Sequence, residues 1–270
     1  MRRALHILLV GSAFLVFFVG AFVISWIMVP LLSLTFDREV RRRRFKGMAR
    51  FATRGFVRYC RMIRMVDIRW SPLPAGFPEG GYVMIANHPT LIDTTVIMAR
   101  FRDLSTVVSR KWFDRPSLGR MLAAAGYVAG SNPDEEDGTP VLDMMVETLR
   151  GGAPMLIFPE GTRSDPERLL RFRRGAVEAA IRAGVPIVPL FIHVNQPMLQ
   201  RGQRWYNSVR GKGRYDLEFW PVIETAGADL DPRELNAELH ARYKARFARM
   251  LAERAQPAAL QSASDSASPG

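Results

Sequence analysis

The sequence predicts an α/β fold: a mixed, largely buried sheet flanked by helices, with an N-terminal membrane-anchoring helix or helix pair. Three observations predict it. Apolar runs of strand length (Tyr82–Ala86, Met155–Phe158, Ile187–Val194) alternate with helical segments such as Thr139–Arg150 and Phe172–Ala183. Such unbroken runs suit strands covered on both faces. The polar turns Asn87-His88 and Glu160-Gly161-Thr162-Arg163 each follow directly on an apolar run, at strand ends where open α/β sheets hold ligands. Finally, the stretch from Ile7 to Leu34 carries no formal charge and leads into a strongly basic segment.

That N-terminal part is read first. At 1.5 Å per residue, Ile7–Leu34 is long enough for a bilayer core of about 30 Å. Arg2 and Arg3 raise a signal peptide as a competing reading, but the run is too long for its apolar core and no small-x-small cleavage site follows. Gly11 and Gly20 keep open a variant with two short helices dipping into one leaflet. Next come Arg38, Arg41 to Arg44, Lys46, Arg50, Arg54, Arg58, Arg61 and Arg64, against only Asp37 and Glu39, and they carry most of the +12 net charge. Phe45, Met48, Ala52, Phe56, Tyr59 and Ile63 recur at helical steps in the same stretch. A basic helix of this kind suits an anionic membrane surface, each Lys or Arg contributing about 1 kcal/mol. Membrane lipids are therefore the expected partner; with an apolar run immediately upstream, no nucleic acid is. The positive charge places the following domain on the cytoplasmic side. Cys60 is the single cysteine, so no internal disulfide framework exists, and it reads as a small apolar helix residue rather than a nucleophile.

The expected organisation is a membrane anchor over 1–36, a basic amphipathic helix over 37–65, a globular domain over 66–255 and a disordered tail rich in Ala, Ser and Pro over 256–270. Within the domain, Val66–Trp70 reads as a strand and 71–81 as a Pro/Gly-rich loop. After strand Tyr82–Ala86, a helix is expected from Pro89, which suits a first helical position, to about Phe101. Ser105–Ser109 reads as a strand with Arg110 and Lys111 at its end; Pro116–Ala125 reads as a helix and Tyr127–Ala129 as a short strand. An acidic turn over 132–138 precedes helix Thr139–Arg150, with Thr139 as its cap. Helix Phe172–Ala183 should stop at Gly184. After strand Ile187–Val194 comes a basic irregular stretch over 195–214, strand Tyr215–Pro221 and an amphipathic helix Asp231–Glu253.

The chemistry concentrates at the two polar turns. His88 follows a strand end, and Asp93 is close enough to reach back to its imidazole; a histidine held by a carboxylate is what a general base needs. A core or capping role accounts for most such pairs taken alone. The Glu-Gly-Thr-Arg turn offers backbone N–H groups and a guanidinium together, a combination that suits phosphate. With both turns present, the chain resembles the phospholipid/glycerol acyltransferase family, which includes the lysophosphatidate acyltransferases. The family's first motif, Asn-His followed by four residues and Asp, matches Asn87, His88 and Asp93. Its third, Phe-Pro-Glu-Gly-Thr-Arg-Ser, matches Phe158 to Ser164 without change, and its apolar, proline-bearing fourth matches Val185 to Leu190. The resemblance covers residues 65–225.

It implies transfer of a fatty acyl group from acyl-CoA or acyl carrier protein to the hydroxyl of a lysophospholipid, with 1-acyl-sn-glycerol-3-phosphate as the leading acceptor. His88 would be the base and Asp93 its support. Arg163 would hold the acceptor phosphate, with Glu160, Gly161 and Thr162 shaping the turn. Phe172-Arg173-Arg174-Gly175-Ala176 resembles the family's Phe-Lys-x-Gly-Ala stretch, and Lys111 resembles a lysine common after the second core strand; Lys111, Arg173 and Arg174 read equally as substrate-binding cations or as surface charges. Asn87 reads as a substrate contact or as a fixer of its turn. No cofactor and no metal are expected: His6, His193 and His240 form no ligand cluster with His88. The second motif departs from the family. Where Gly-x-x-Phe-x-x-Arg is usual, this chain has Gly126-Tyr127-Val128-Ala129-Gly130-Ser131-Asn132, without the aromatic or the arginine associated with the acceptor. That departure keeps two alternatives open: an acyltransferase for ornithine-lipid or aryl-polyene-type specialised lipids, or a non-catalytic lipid-binding protein on the same fold.

Overall fold

The structure is a computed structural model that describes residues 2–34, 38–116, 118–130, 139–195, 199, 203–204 and 213–266. Seven strands form one sheet: β1 (Val66–Trp70), β2 (Val83–Ala86), β3 (Ser105–Val108), β4 (Val128–Ala129), β5 (Met155–Ile157), β6 (Ile187–Val194) and β7 (Gly213–Phe219). Their order is β1-β7-β6-β2-β5-β3-β4. All pairs are parallel except β6 with β7, so the sheet is mixed as expected. β2 lies at its centre between β6 and β5. Because Val83 pairs with Met155 and Ile85 with Ile157, the chain leaves β2 and β5 at the same level of the same edge. The two polar turns are thereby neighbours.

Both faces of the sheet are covered, which is why β2 and β6 are apolar at nearly every position. One face packs Met84, Ala86, Leu156, Val188 and Leu190 against α3 (Arg38–Met62) and α4 (Asp93–Arg100). The other packs Val83, Ile85, Met155 and Phe191 against α7 (Thr139–Arg150), α8 (Gly175–Ala183) and α9 (Pro232–Ser266). Pro189 turns its backbone away from β2, its carbonyl accepting from the Trp220 N–H, so its missing N–H is not lost from the ladder between β6 and β2. Tyr243 of α9 bridges those two strands: its buried hydroxyl donates to the Ile85 carbonyl at 2.7 Å and accepts from the Leu190 N–H at 2.9 Å. Burial keeps this phenol protonated by pushing its pKa up.

The apolar N-terminus forms one continuous helical rod, α1 (Arg2–Val23), a π-helical segment over Ile24–Met28 and α2 (Val29–Ser33). Gly11 and Gly20 do not break it; a helix interior tolerates glycine at a modest cost. Of the two forms left open, a single helix or a pair within the run, the structure has the continuous one, and the rod forms a hairpin with the basic helix α3. Tyr59 donates to Ser12 at 2.8 Å and Phe56 meets Phe17 edge-on, so the two helices run antiparallel. Further along, Ala21 packs with Leu118 and Leu122, and the Arg120 guanidinium lies 4.4 Å from the Trp26 ring. From Ala13 to Trp26 the rod is docked on the body over about 20 Å. Its outer face, including Leu8, Leu15 and Phe22, is exposed.

Other boundaries differ from the expectation for local reasons. α4 starts at Asp93 rather than Pro89, because Thr90 bonds to the Asp93 side chain and holds the intervening turn out of helical form. β3 stops at Val108, and Arg110–Phe113 forms a short helix, α5, before α6 (Gly119–Ala124). α8 starts at Gly175 because Arg173 N–H donates to Pro159 O, tying this stretch to the motif turn. It ends at Gly184 in the left-handed conformation, φ 66°, as the sequence implied. α9 continues past Glu253 to Ser266, into the stretch expected as a disordered tail. The acidic turn over 132–138 and most of the irregular stretch over 195–214 lie outside the described residues.

Candidate active site

The site is built from the two turns at the shared edge of β2 and β5. Asn87, fully buried, fixes the first. Its amide donates to the Ile192 carbonyl at 2.9 Å and its side-chain oxygen accepts from the Ile192 N–H at 2.7 Å. Both ends of the side chain are occupied by β6, so Asn87 clamps the turn and is not the substrate contact that the sequence left open.

His88 and Asp93 meet as expected: Nδ1 of the imidazole lies 2.8 Å from Asp93 Oδ2. A carboxylate only accepts, so Nδ1 carries the hydrogen and Nε2 is left as the basic nitrogen. The ring stacks on Phe158 with centroids 4.1 Å apart, and 18% of the His88 side chain is exposed while Asp93 is fully buried. Asp93 is held on its other side as well. It accepts from the Thr90 N–H at 2.7 Å and from the Thr90 hydroxyl at 2.5 Å. Since the Thr90 hydroxyl proton points at Asp93, the Tyr215 hydroxyl donates to Thr90 Oγ1. A buried relay thus runs Tyr215, Thr90, Asp93, His88. Burial and the charge of Asp93 hold the Tyr215 phenol well above its ordinary pKa, which suits it to the donor role. Thr90 had a sequence signal, the Thr-x-x-Asp spacing of a capping box. Tyr215 had none.

The second turn is locked to the first. Glu160 is buried, and its Oε1 accepts from the Ser164 hydroxyl at 2.6 Å and the His88 N–H at 3.1 Å. Its Oε2 accepts from the Leu170 N–H at 3.1 Å, and the Ser164 N–H donates to the His88 carbonyl at 2.7 Å. Burial pushes the Glu160 carboxyl up, opposed by the donors from Ser164, Leu170 and His88. Glu160, grouped with the substrate-binding residues for shaping its turn, has both carboxylate oxygens occupied and is the strut between the motifs. Gly161 takes φ 68°, and it and Thr162 are exposed at the tip of the turn.

The cations divide. Arg163 is half-buried and donates to the Leu199 carbonyl at 2.9 Å. Arg173 lies across the turn: a Cβ on Gly161 would come within 3.0 Å of its Nε. Arg174 pairs instead with Glu178 at 3.6 Å, one turn along α8. Lys111 is exposed on α5, which follows β3 at the same edge of the sheet. Asn132, where the family's second motif has arginine, lies outside the described residues. Among the described residues no three His, Cys, Asp or Glu side chains converge in a way that would hold a metal ion.

Comparison with known proteins agrees with this geometry. Residues 69–193, which contain both turns, match the family model described as Acyltransferase. The chain is 27% identical over 213 residues to a 1-acyl-sn-glycerol-3-phosphate acyltransferase of Pseudomonas aeruginosa, covering 77% of this chain and 80% of the relative. It is 31% identical over 113 residues to one of Chlamydomonas reinhardtii, covering 42% of this chain, and 27% identical over 158 residues to the alpha form of Mus musculus, covering 57%. The matches span only 34% and 54% of the length of those two relatives. In fold, the chain is similar to the crystal structure of the 1-acyl-sn-glycerophosphate acyltransferase PlsC from Thermotoga maritima, with a TM-score of 0.72 at 19% identity over 93% of this chain and 98% of the other. The intact motifs and the assembled site agree with these matches: over residues 69–193 the chain is similar to the acyltransferase family, and it shares the fold of a solved acyltransferase.

Proposed function

We propose that this chain is an acyltransferase of lipid synthesis that moves a fatty acyl group from a thioester to the hydroxyl of a lysophospholipid, with 1-acyl-sn-glycerol-3-phosphate as the acceptor. The observation that carries this reading is the His88–Asp93 pair, joined through Glu160 to a basic turn at the same strand edge. His88 Nε2 takes the proton of the acceptor hydroxyl as its oxygen attacks the thioester carbonyl. Asp93 holds the ring and stabilises the imidazolium that forms. When the tetrahedral intermediate collapses, the carbon–sulfur bond breaks and the thiolate takes the proton back from His88. A thioester is already activated, so no covalent enzyme intermediate is needed. The donor is acyl-CoA or acyl carrier protein, and no step calls for a metal or a cofactor.

Arg163 supplies one cation for the acceptor phosphate. Arg173, lying over the same turn, is placed to supply the second in place of the arginine that Asn132 replaces. Arg174, drawn toward Glu178, and Lys111, on a separate helix, are the weaker choices.

The exposed apolar face of α1 and the arginines of α3 support membrane attachment, with the catalytic domain on the cytoplasmic side. Because the rod is docked on the body over about 20 Å, it lies in one leaflet against the domain rather than crossing the bilayer alone.

The test is acylation of several lysolipids by the purified chain, together with Arg163→Ala, Arg173→Ala, Arg174→Ala and Lys111→Ala. Arg163→Ala and Arg173→Ala are each expected to raise the KM for 1-acyl-sn-glycerol-3-phosphate about tenfold or more, which is about 1.4 kcal/mol. If neither does, and an acceptor without phosphate reacts faster, the specialised-lipid reading takes over. If no lysolipid is acylated with either donor, the chain is a lipid-binding protein.

A further inference from the structure

Away from His88, one face of the sheet is left open at its edge. β1 turns Val66, Ile68 and Trp70 toward the side covered by α3 and α4, yet Ile68 and Trp70 remain only half-buried. The gap is a groove of about 1370 Å³ between α3, β1 and α4. Its walls are apolar, and they include Phe51 and Met62 of α3, which are 80% and 71% exposed. Such bare side chains outside a core mark a contact surface.

The rim has one sign of charge. Arg54, Arg58 and Arg61 of α3 and Arg100 of α4 line it. Asp67, the one acid in the lining, is engaged by Arg69 at 3.5 Å. Arg100 is held by rings rather than by a carboxylate: its guanidinium lies 4.6 Å from the Trp70 centroid, 5.7 Å from Phe101 and 5.9 Å from Phe219. Burial lowers its pKa, the signature of a partly desolvated cation. This end of the groove is remote from the catalytic turn. β1 runs opposite to β2, so Trp70 lies at the edge where β2 begins, whereas His88 follows where β2 ends.

An apolar trough with guanidiniums along its rim fits an anionic amphiphile. The volume exceeds the roughly 300–1,000 Å³ of small-molecule sites, as a long-chain ligand requires. We propose that this groove binds an anionic phospholipid of the bilayer, one acyl chain lying between α3 and β1 and the phosphate set against Arg100 and Arg54. The inference rests on the reading that the N-terminal hairpin lies in the membrane, since α3 is shared by the hairpin and the groove. Filled in this way, the groove fixes the rotation of the domain on the membrane and so the approach of the catalytic edge.

Gly55 gives a clean test. It lines the groove on a helix interior, and a Cβ there meets nothing within 4 Å, so a side chain can leave the backbone freely; Gly55→Leu puts bulk into the trough and favours the helix. The full chain, in mild detergent with phosphatidylglycerol and phosphatidylcholine in equal amounts, is analysed by native mass spectrometry. One phosphatidylglycerol retained per chain is expected, with a preference of about tenfold over phosphatidylcholine. Gly55→Leu and Arg100→Gln should each lower retention about tenfold while changing kcat/KM in detergent by less than about twofold. Equal retention of the two lipids, or undiminished retention in both variants, overturns the proposal. So does a fall in kcat/KM of about tenfold in Gly55→Leu, because the groove would then belong to the substrate path. Sedimentation with phosphatidylglycerol vesicles separates the two readings: a chain that sediments but retains no lipid disproves the groove alone, and one that does neither disproves the membrane reading as well.

Discussion

Glu160 accepts the backbone N–H of His88 at 3.1 Å, so the Glu-Gly-Thr-Arg turn and the turn that carries His88 are one unit. The bond is made to the main chain, which sets the position of His88 without touching its imidazole. Glu160→Gln keeps the shape but puts an amide donor against the Leu170 N–H or the Ser164 hydroxyl. A buried donor left without an acceptor costs about 1–3 kcal/mol. Chemical denaturation of the variant should show a loss in that range, and kcat should fall while acceptor KM moves less. A raised KM with unchanged kcat would mean that Glu160 binds substrate instead.

The relay behind Asp93 sets an order of effects. Thr90→Val removes the hydroxyl donor to Asp93 and leaves the Tyr215 hydroxyl without its acceptor, whereas Tyr215→Phe removes only the outer bond. Tyr215→Phe is expected to cost about 1 kcal/mol of stability and to lower kcat less than about tenfold. Thr90→Val should lower kcat further. Wild-type turnover in Thr90→Val would show that the relay supports the fold alone.

Tyr243 makes a separate claim about stability. Tyr243→Phe leaves the Ile85 carbonyl and the Leu190 N–H unsatisfied in the core, at about 1–3 kcal/mol for each group. A drop in thermal midpoint of several degrees is expected, about 2–4 °C per kcal/mol for a domain of this size. An unchanged midpoint would mean that Ile85 and Leu190 do not depend on α9.

Cys60 reports on the helix hairpin. It is buried in the cluster that contains Ala13 of α1, and burial pushes its thiol up to about 12. At pH 8 only about 10⁻⁴ of such a thiol is ionised, and the thiolate is the reactive form. Alkylation of the native full chain should therefore be slow, fast in denaturant, and faster after removal of residues 1–36. Rapid labelling of the native chain would show that α1 does not cover α3.

Much of this arrangement was legible in the sequence, for identifiable reasons. β6 was read to the residue because a strand buried on both faces leaves an unbroken apolar run, Ile187–Val194. His88 and Asp93 were legible because they are five residues apart and meet locally. The start of α4 was misplaced because the Thr90–Asp93 bond, not Pro89, sets it. Tyr215 was invisible because it lies 125 residues from Thr90 and arrives on the other arm of the sheet. Asn87 stayed open between two roles, and Glu160 was read only as shaping its own turn, because a sequence shows that a polar residue stands at a turn but not that its partners are the Ile192 backbone or the His88 N–H. The hairpin of α1 with α3 was missed because an uncharged run reads as a span, whatever it later packs against.

The most direct measurement concerns His88. Its side chain meets Asp93 and Phe158, while its turn is held by main-chain bonds to Glu160 and Ser164 that alanine retains. Steady-state kinetics of purified His88→Ala on 1-acyl-sn-glycerol-3-phosphate and an acyl thioester should show kcat lower by at least about 10²-fold, with the thermal midpoint close to wild type. Near-normal turnover by the folded variant would contradict general-base catalysis by His88.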